Sequence, residues 1–250
     1  WHKPYTTMAY ESEAIILTEF SKFFLNGSLY QGSKPVMWSP IEKTALAEAE
    51  IEYHDIDSTS IYVAFKVKKS PNNLLENTSV VIWTTTPWTI PGNRAIAFGD
   101  SIDYCIIKVQ ESKNNLIKDN KYLVAKSLLE EVCDRCNISK FELIKEIKGE
   151  ELGNTICHHP FSKIGFDYDV PLLKAAFVED SEGTGFVHIA PCYGEDDYYL
   201  ALDNNIVIKD IVKDDGCYRD NTPVFAGIHV FKAHLSVIEN LEEQNKLLGS

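Results

Sequence analysis

Between Ile61 and Ala125 the chain repeats one pattern: a short run of β-branched and aromatic residues, then a break at Gly, Asn, Asp or Pro. IYVAFKV, SVVIW, RAIAF, DYCIIKV and KYLVA are the runs, each of strand length and composition. The stretches between them are too short for the helical crossovers that consecutive parallel strands need. IEYHD upstream and FELIKEI downstream also read as extended, and FVEDSEGTGFVHIAP reads as a hairpin turning near Glu182-Gly183. The runs therefore predict a largely antiparallel or mixed sheet. So many short strands expose unpaired edges unless the sheet closes, so the expectation is a closed or nearly closed, barrel-like core.

Helical spacing is confined to a few segments. Ile15, Ile16, Phe20, Phe23 and Phe24 recur at helical intervals between Ala9 and Asn26, and Gly27 stands where helices commonly stop. Further helices are predicted from about Ala125 to Cys136, over EDDYYLALDNN, and over the closing HVFKAHLSVIENLEEQNKLL, with Val230, Leu235, Ile238, Leu241 and Leu248 near one face; TALAEAE offers a short turn. The class is α+β, a strand-rich, mixed or antiparallel sheet core flanked by helices. It reads as one domain over 1–250, with 46–225 as the core and 1–45 and 226–250 as flanking, helical segments. The chain opens on Trp1 rather than Met and ends on a charged stretch, which suggests a piece of a longer polypeptide whose remainder would be its first partner.

Charge narrows the partners. Acidic residues outnumber basic ones 37 to 24, for a net charge of −13, which argues against broad binding to duplex nucleic acid because neutralising phosphates needs a Lys/Arg surface. There is no apolar run of membrane-spanning length, and Trp1-His2-Lys3-Pro4 does not open a signal peptide. A soluble, cytoplasmic, monomeric domain without a membrane partner is expected. The six cysteines, Cys105, Cys133, Cys136, Cys157, Cys192 and Cys217, are scattered through a chain too large to need disulfides and read as free thiols. Cys133 and Cys136 form a CxxC that Cys157-His158-His159 could complete as a zinc site. LLEEVCDRCN reads better as a helix end, and no second CxxC follows, so no metal is expected.

Two segments could carry chemistry. In VVIWTTTPWTIPGNRAIAF an apolar strand ends in Thr84, Thr85 and Thr86, followed by Pro87 and Pro91 with Trp88 between them. The prolines fix φ and remove two backbone donors, so the hydroxyls and the remaining N–H groups are held in defined directions. The plainer alternative is that threonines favour strands and one ends here. In GTGFVHIAPCYGEDDYYLA, Gly183 and Gly185 allow close backbone approach, His188 ends an apolar run, and Glu195-Asp196-Asp197 opens a helix. A histidine so placed is commonly a core residue, and an acidic run at a helix start commonly complements the helix dipole.

Taken together, WTTTPWTIPGNRAIA and, about a hundred residues later, GTGFVHIAPCYGEDDY resemble the editing insertion, the CP1 domain, of bacterial-type isoleucyl-tRNA synthetases. KPVMW and TALAEAEIEY upstream agree, so the resemblance covers nearly the whole chain. Leucyl and valyl relatives carry an arginine in the threonine segment (TTRP) where this chain has Thr86. The resemblance implies that Thr84, Thr85, Thr86 and Asp197 are the catalytic set. His188, Asn93 of the NRA element, Trp88, Gly183 and Gly185 would form the substrate pocket, with Trp88 available for stacking. It implies hydrolysis of valine from the 3′ aminoacylated end of tRNA(Ile), with the valyl adenylate as a second candidate substrate, and no metal or cofactor. His188 would be the wall that excludes isoleucine. ATP and any zinc would belong to the full-length enzyme, since the HIGH and KMSKS elements of the synthetic site are missing here. A valyl-type domain acting on Thr-tRNA(Val), a non-catalytic tRNA-binding module and a free-standing metal hydrolase are the rival readings. The chain departs from the common APGHG wording at Cys192-Tyr193, so the loop before Asp197, a wall of the pocket, is expected to differ in shape.

Overall fold

A computed structural model describes His2 and residues 4–250. The chain divides into two compact units, one ending at Lys34 and the other spanning Pro35–Ser250. The first contains helix α1 (Tyr10–Leu25), with Glu11 and Glu13 in its first turn and Lys22 in its last, the polarity the helix dipole favours. It ends where predicted, at Gly27, whose φ of 80° only glycine adopts readily.

The second unit begins with a small antiparallel ribbon, β1 (Trp38–Ser39) and β2 (Thr44–Ala45). The main strands follow: β3 (Ile61–Lys69), β4 (Thr78–Thr84), β5 (Ala95–Phe98), β6 (Asp103–Ser112) and β7 (Lys121–Ala125). After helix α2 (Leu129–Arg135) come β8 (Ile138–Lys148), β9 (Ile156–His158), β10 (Asp169–Lys174) and β11 (Phe186–Ile189). Helices α3 (Glu195–Asp203) and α4 (Ala233–Glu243) and the short β12 (Leu247–Gly249) complete the chain. The ten-stranded sheet runs β11-β5-β10-β9-β3-β4-β7-β6-β8, with β12 added on β3. It is mixed: β10 with β5 and β4 with β7 are parallel, and the other pairs are antiparallel.

All five runs between Ile61 and Ala125 are strands, and their apolar residues make the core: Ile61, Phe65, Ile82, Ile96, Ile106 and Ile107 are wholly buried. Several expectations need correction. The sheet does not close; its path is open from β11 to β8. Closure is unnecessary because both ends are managed in other ways. β8 carries exposed Lys140, Glu142, Lys145 and Glu146 along its length, charges that discourage a further strand. At the other end, Ala125 N–H donates to Thr184 O at 2.8 Å and Tyr104 Oη–H to Gly185 O at 2.7 Å, tying the chain entering β11 back to the other arm of the sheet.

β11 forms no hairpin with the Phe177–Ser181 stretch but pairs antiparallel with β5. IEYHD forms no strand, and TALAEAE divides between β2 and a 3₁₀ turn at Glu48–Glu50. The closing helix ends at Glu243, and Leu247 and Leu248 belong to β12, which buries them against β3. The buried face of α4 is Ala233, Val237 and Leu241, while Leu235 is exposed.

Gly185 shows why the glycines before β11 are needed. Its φ is +75°, and an added Cβ would lie 2.4 Å from the Ala125 Cβ. Gly185→Ala is therefore expected to destabilise the protein by about 1–3 kcal/mol through overpacking and a left-handed backbone. Gly153→Ala, whose Cβ would meet nothing nearer than 3.9 Å, should leave stability nearly unchanged. Urea unfolding of the two variants against the parent checks this.

Candidate functional site

A cleft of about 390 Å³ opens where the end of β4, the following 3₁₀ turn Pro87–Gly92, the Phe177–Gly183 loop, β11 and the start of α3 meet. Thr84, Thr85, Thr86, Gly183, His188 and Asp197 all line it. The two segments singled out in the sequence, a hundred residues apart, thus face one space. β4 and β11 are not sheet neighbours; the open sheet curls until their ends share the cleft.

The three threonines are not equivalent. Thr84 is buried, and its hydroxyl accepts from Thr86 N–H at 3.1 Å and lies 3.2 Å from Thr86 Oγ1. It holds the loop's shape, as side-chain hydroxyls do in tight turns. Thr85 is exposed in the cleft, and its carbonyl accepts from Ser58 Oγ at 2.7 Å. Thr85 and Thr86 are both exposed and line the cleft.

His188, on β11, is 9% exposed and engaged at both ring nitrogens. Asn93 Nδ2 lies 2.7 Å from Nδ1 and 2.9 Å from Ala95 O. The Ala95 carbonyl fixes the amide with its NH₂ on this side, so Nδ1 must accept. The ring proton then sits on Nε2 and is donated to Thr89 Oγ1 at 3.0 Å, and Thr89 passes its own proton to Thr86 O at 2.9 Å. Burial pushes the imidazole down to about 4, and the amide proton aimed at Nδ1 opposes protonation as well. His188 is thus a buried cleft-lining ring with both nitrogens engaged in hydrogen bonds.

Asp197 lies in the first turn of α3 with Glu195 and Asp196. Glu195 and Asp196 point to solvent and complement the helix dipole, as the plainer reading expects. Asp197 instead turns back, its Oδ2 accepting from Ala190 N–H at 2.7 Å at the end of β11. The absence of a side chain at Gly194 permits this, since a Cβ there would lie 3.0 Å from Asp197 Cγ. Burial raises the carboxyl above its ordinary value, the Ala190 N–H works against the rise, and Asp196 adds to it. Glu179 and Glu182 also line the cleft, so its lining is acidic.

Three predicted residues lie outside the lining. Trp88 is half-buried, its ring edge-on to Tyr193 at 5.0 Å and its carbonyl accepting from Tyr218 Oη at 2.5 Å; it packs the wall from behind. Asn93 is wholly buried beneath His188, and Gly185 packs on Ala125 and Tyr104. Thr89, Trp83 and Phe177 line the cleft without having stood out in the sequence, and Tyr193 of the departing loop lines it too. The TPWT repeat of threonine at 86 and 89 was the only available signal for Thr89. The Cys192-Tyr193 departure is built into the wall: Tyr193 lies across Gly92, and its hydroxyl accepts from Ile211 N–H at 3.3 Å.

His159, considered with Cys157 for a metal, is wholly buried. Its Nε2–H donates to Ile90 O at 3.0 Å and its Nδ1 accepts from Phe161 N–H at 3.1 Å. Among the described residues no group of three or more His, Cys, Asp or Glu side chains is placed to hold a metal ion, and no helix is long and apolar enough to cross a membrane.

Burial holds His159 down at about 3, as it holds His188 at about 4. Below pH 6.5 the unfolded chain takes up protons at these positions and the native state does not, so stability present above pH 6.5 is lost as pH falls toward 4. The raised Asp197 acts in the opposite sense but is one group against two. The urea midpoint should drop between pH 7 and 5, and His159→Gln should reduce the drop; a slope unchanged by the substitution would contradict the assignment.

Comparison with known proteins follows the same lines. Residues 1–236 match the family described as tRNA synthetases class I (I, L, M and V). The chain is 50% identical over its whole length to the isoleucine–tRNA ligase of Pelagibacter ubique (strain HTCC1062) and 48% identical over 97% of its length to that of Gluconobacter oxydans (strain 621H). It spans about a quarter of those relatives, 27% and 26% of their lengths. Among solved structures, GlLeuRS-CP1 aligns with a TM-score of 0.58 at 14% identity, over 76% of this chain and 98% of that one. The P. knowlesi cytosolic leucyl-tRNA synthetase editing domain aligns with a TM-score of 0.52 at 11% identity, over 75% and 94%. At such identities these two show a shared fold.

Proposed function

The chain belongs to the class I tRNA synthetases of the I, L, M and V group, and from that premise we propose that its cleft hydrolyses wrongly attached amino acid from the 3′ end of tRNA. The protein would act as the editing part of an isoleucyl-tRNA synthetase, with valine on tRNA(Ile) as the substrate. The observation that carries this reading is the Asp197 carboxylate, held by Ala190 N–H in an acidic cleft that Thr85, Thr86 and His188 also line.

An aminoacyl ester is an activated acyl bond, so hydrolysis needs positioning and stabilisation of the developing oxyanion more than a strong base. Asp197 keeps one oxygen on Ala190 and offers the other to the substrate's α-ammonium, a charge-assisted contact that fixes the aminoacyl group. Glu179 and Glu182 favour the same positive charge. Thr85 and Thr86 orient the carbonyl, the ribose and the water. Water adds to the carbonyl carbon, the bond to the ribose oxygen breaks, that oxygen takes a proton, and the amino acid leaves as its carboxylate. Because His188 has no free lone pair, the ribose hydroxyl or a second water carries the proton.

The need for a second site is energetic. One methylene in an apolar pocket is worth only about 1–3 kcal/mol, so binding alone cannot reject valine at a site built for isoleucine. A small cleft that admits valine and excludes isoleucine completes the selection, with His188 as the excluding wall. The acidic surface fits a partner engaged through a single-stranded end rather than a duplex groove.

The purified chain should deacylate Val-tRNA(Ile) and act poorly on Ile-tRNA(Ile). Asp197→Ala should lower kcat/KM roughly 10- to 100-fold, the value of a charged hydrogen bond, and His188→Ala should admit Ile-tRNA(Ile). Background rates for both substrates with the parent chain would end this reading. The threonines should separate: Thr85→Val lowers kcat/KM with stability intact, whereas Thr84→Val costs about 1 kcal/mol of stability by removing a buried loop hydrogen bond.

A further inference from the structure

Thr89 is a buried polar side chain of the cleft that the proposed chemistry does not use. Thr89 is 6% exposed, lines the cleft, and stands between the wall histidine and the threonine loop. Its hydroxyl sits 3.0 Å from His188 Nε2 and 2.9 Å from Thr86 O. With Asn93 fixing the other side of the ring at 2.7 Å, the direction of every proton in the chain follows: Asn93 Nδ2–H to His188 Nδ1, His188 Nε2–H to Thr89 Oγ1, Thr89 Oγ1–H to Thr86 O. We propose that Thr89 is a positioning residue that locks the His188 ring in place as the Nε2–H tautomer, so that the hydroxyl of Thr89, acting through His188, sets how strictly the cleft refuses the larger side chain. The selectivity part of this assignment rests on the editing reading; the tautomer lock does not.

The physical argument is one of constraint. A ring held by one hydrogen bond can turn about its Cβ–Cγ bond, whereas a ring held at both nitrogens cannot turn without breaking one of them. Excluding one extra methylene requires a wall that does not yield, and a neighbouring ring free to tilt would make room for it. Thr86 O receives both the amide proton of Thr89 at 3.0 Å and its hydroxyl proton. The acceptor that anchors the histidine wall is thus part of the loop that presents the catalytic hydroxyls. Wall and catalytic loop are one hydrogen-bonded unit spanning β11 and the turn after β4.

The test compares the parent chain, Thr89→Val, which keeps the shape and removes the hydroxyl, and Thr89→Ser, which restores it. With ¹⁵N-labelled histidine, the parent His188 should show an unprotonated Nδ1, a protonated Nε2 whose proton exchanges slowly with water, and no titration between pH 5 and 8. In Thr89→Val the Nε2 proton should exchange rapidly, and the preference for Val-tRNA(Ile) over Ile-tRNA(Ile) in kcat/KM should fall roughly fivefold, the scale of one neutral hydrogen bond. Thr89→Ser should recover both. In a His188→Ala background, Thr89→Val should have no further effect on the preference, because the path runs through the ring. A parent ring protonated at Nδ1 or titrating near neutrality, or a Thr89→Val protein with parental exchange and parental preference, would overturn the proposal. An equal Thr89→Val effect with and without His188 would also overturn it, by making Thr89 a direct contact. If the parent chain hydrolyses neither ester while the ring behaves as described, the editing reading fails and the lock stands.

Discussion

Two buried, neutral histidines hold the 3₁₀ turn Pro87–Gly92 through hydrogen bonds, and the shape of the cleft depends on them. His159 donates to Ile90 O in the middle of the turn, while His188 is joined to Thr89 within it and to Asn93 at its end. With prolines at 87 and 91 the turn has lost two backbone donors, so it cannot be stabilised mainly by its own hydrogen bonds. The partners must come from elsewhere, and imidazole suits the task because it donates at one nitrogen and accepts at the other. The rings are kept neutral by burial, His159 within a cage of Phe65, Phe161, Phe166 and Tyr168. The aromatic core and the cleft are therefore not independent: the first holds the turn that shapes the second.

With the turn so held, the division of labour in the cleft follows. The hydroxyl of Thr84 is engaged within the loop, whereas Thr85 and Thr86 are exposed along the cleft. The acidic run at the start of α3 splits in the same way, with Glu195 and Asp196 facing water and Asp197 drawn back by Ala190 N–H. Gly194 and Gly183 matter here for the room they leave, one beside Asp197 and the other over Trp83. Tyr193 is anchored to the Asp210–Ile211 segment and closes the wall beside Trp88.

Much of the fold could be read from the sequence because alternating apolar residues report a sheet face directly, and IYVAFKV through KYLVA all became strands. β9 and β10 were missed because ICH is three residues long and DVPLLK contains Pro171, which hides a strand from pattern reading. The open sheet was not foreseen because the sequence does not say that the chain before β11 would be tied back by Tyr104 and Ala125. For the site, Thr85, Thr86, His188 and Asp197 line one cleft. Residue patterns alone had left each with a plainer reading. Trp88 and Gly185 pointed to the right region, but their side of the wall is set by packing. Thr89 and His159 act through hydrogen bonds across 99 and 69 positions of sequence, a distance over which local pattern carries no signal.

In the proposed function the cleft receives an aminoacyl group by its ammonium at Asp197 and by its side chain against His188. A crystal structure of the chain with valyl-adenosine in which an amide replaces the ester tests it most directly. The ammonium nitrogen is expected within hydrogen-bond distance of Asp197, the isopropyl group against His188, and the carbonyl beside Thr85 and Thr86. A ligand bound elsewhere, or bound in the cleft with its ammonium away from Asp197, would contradict it.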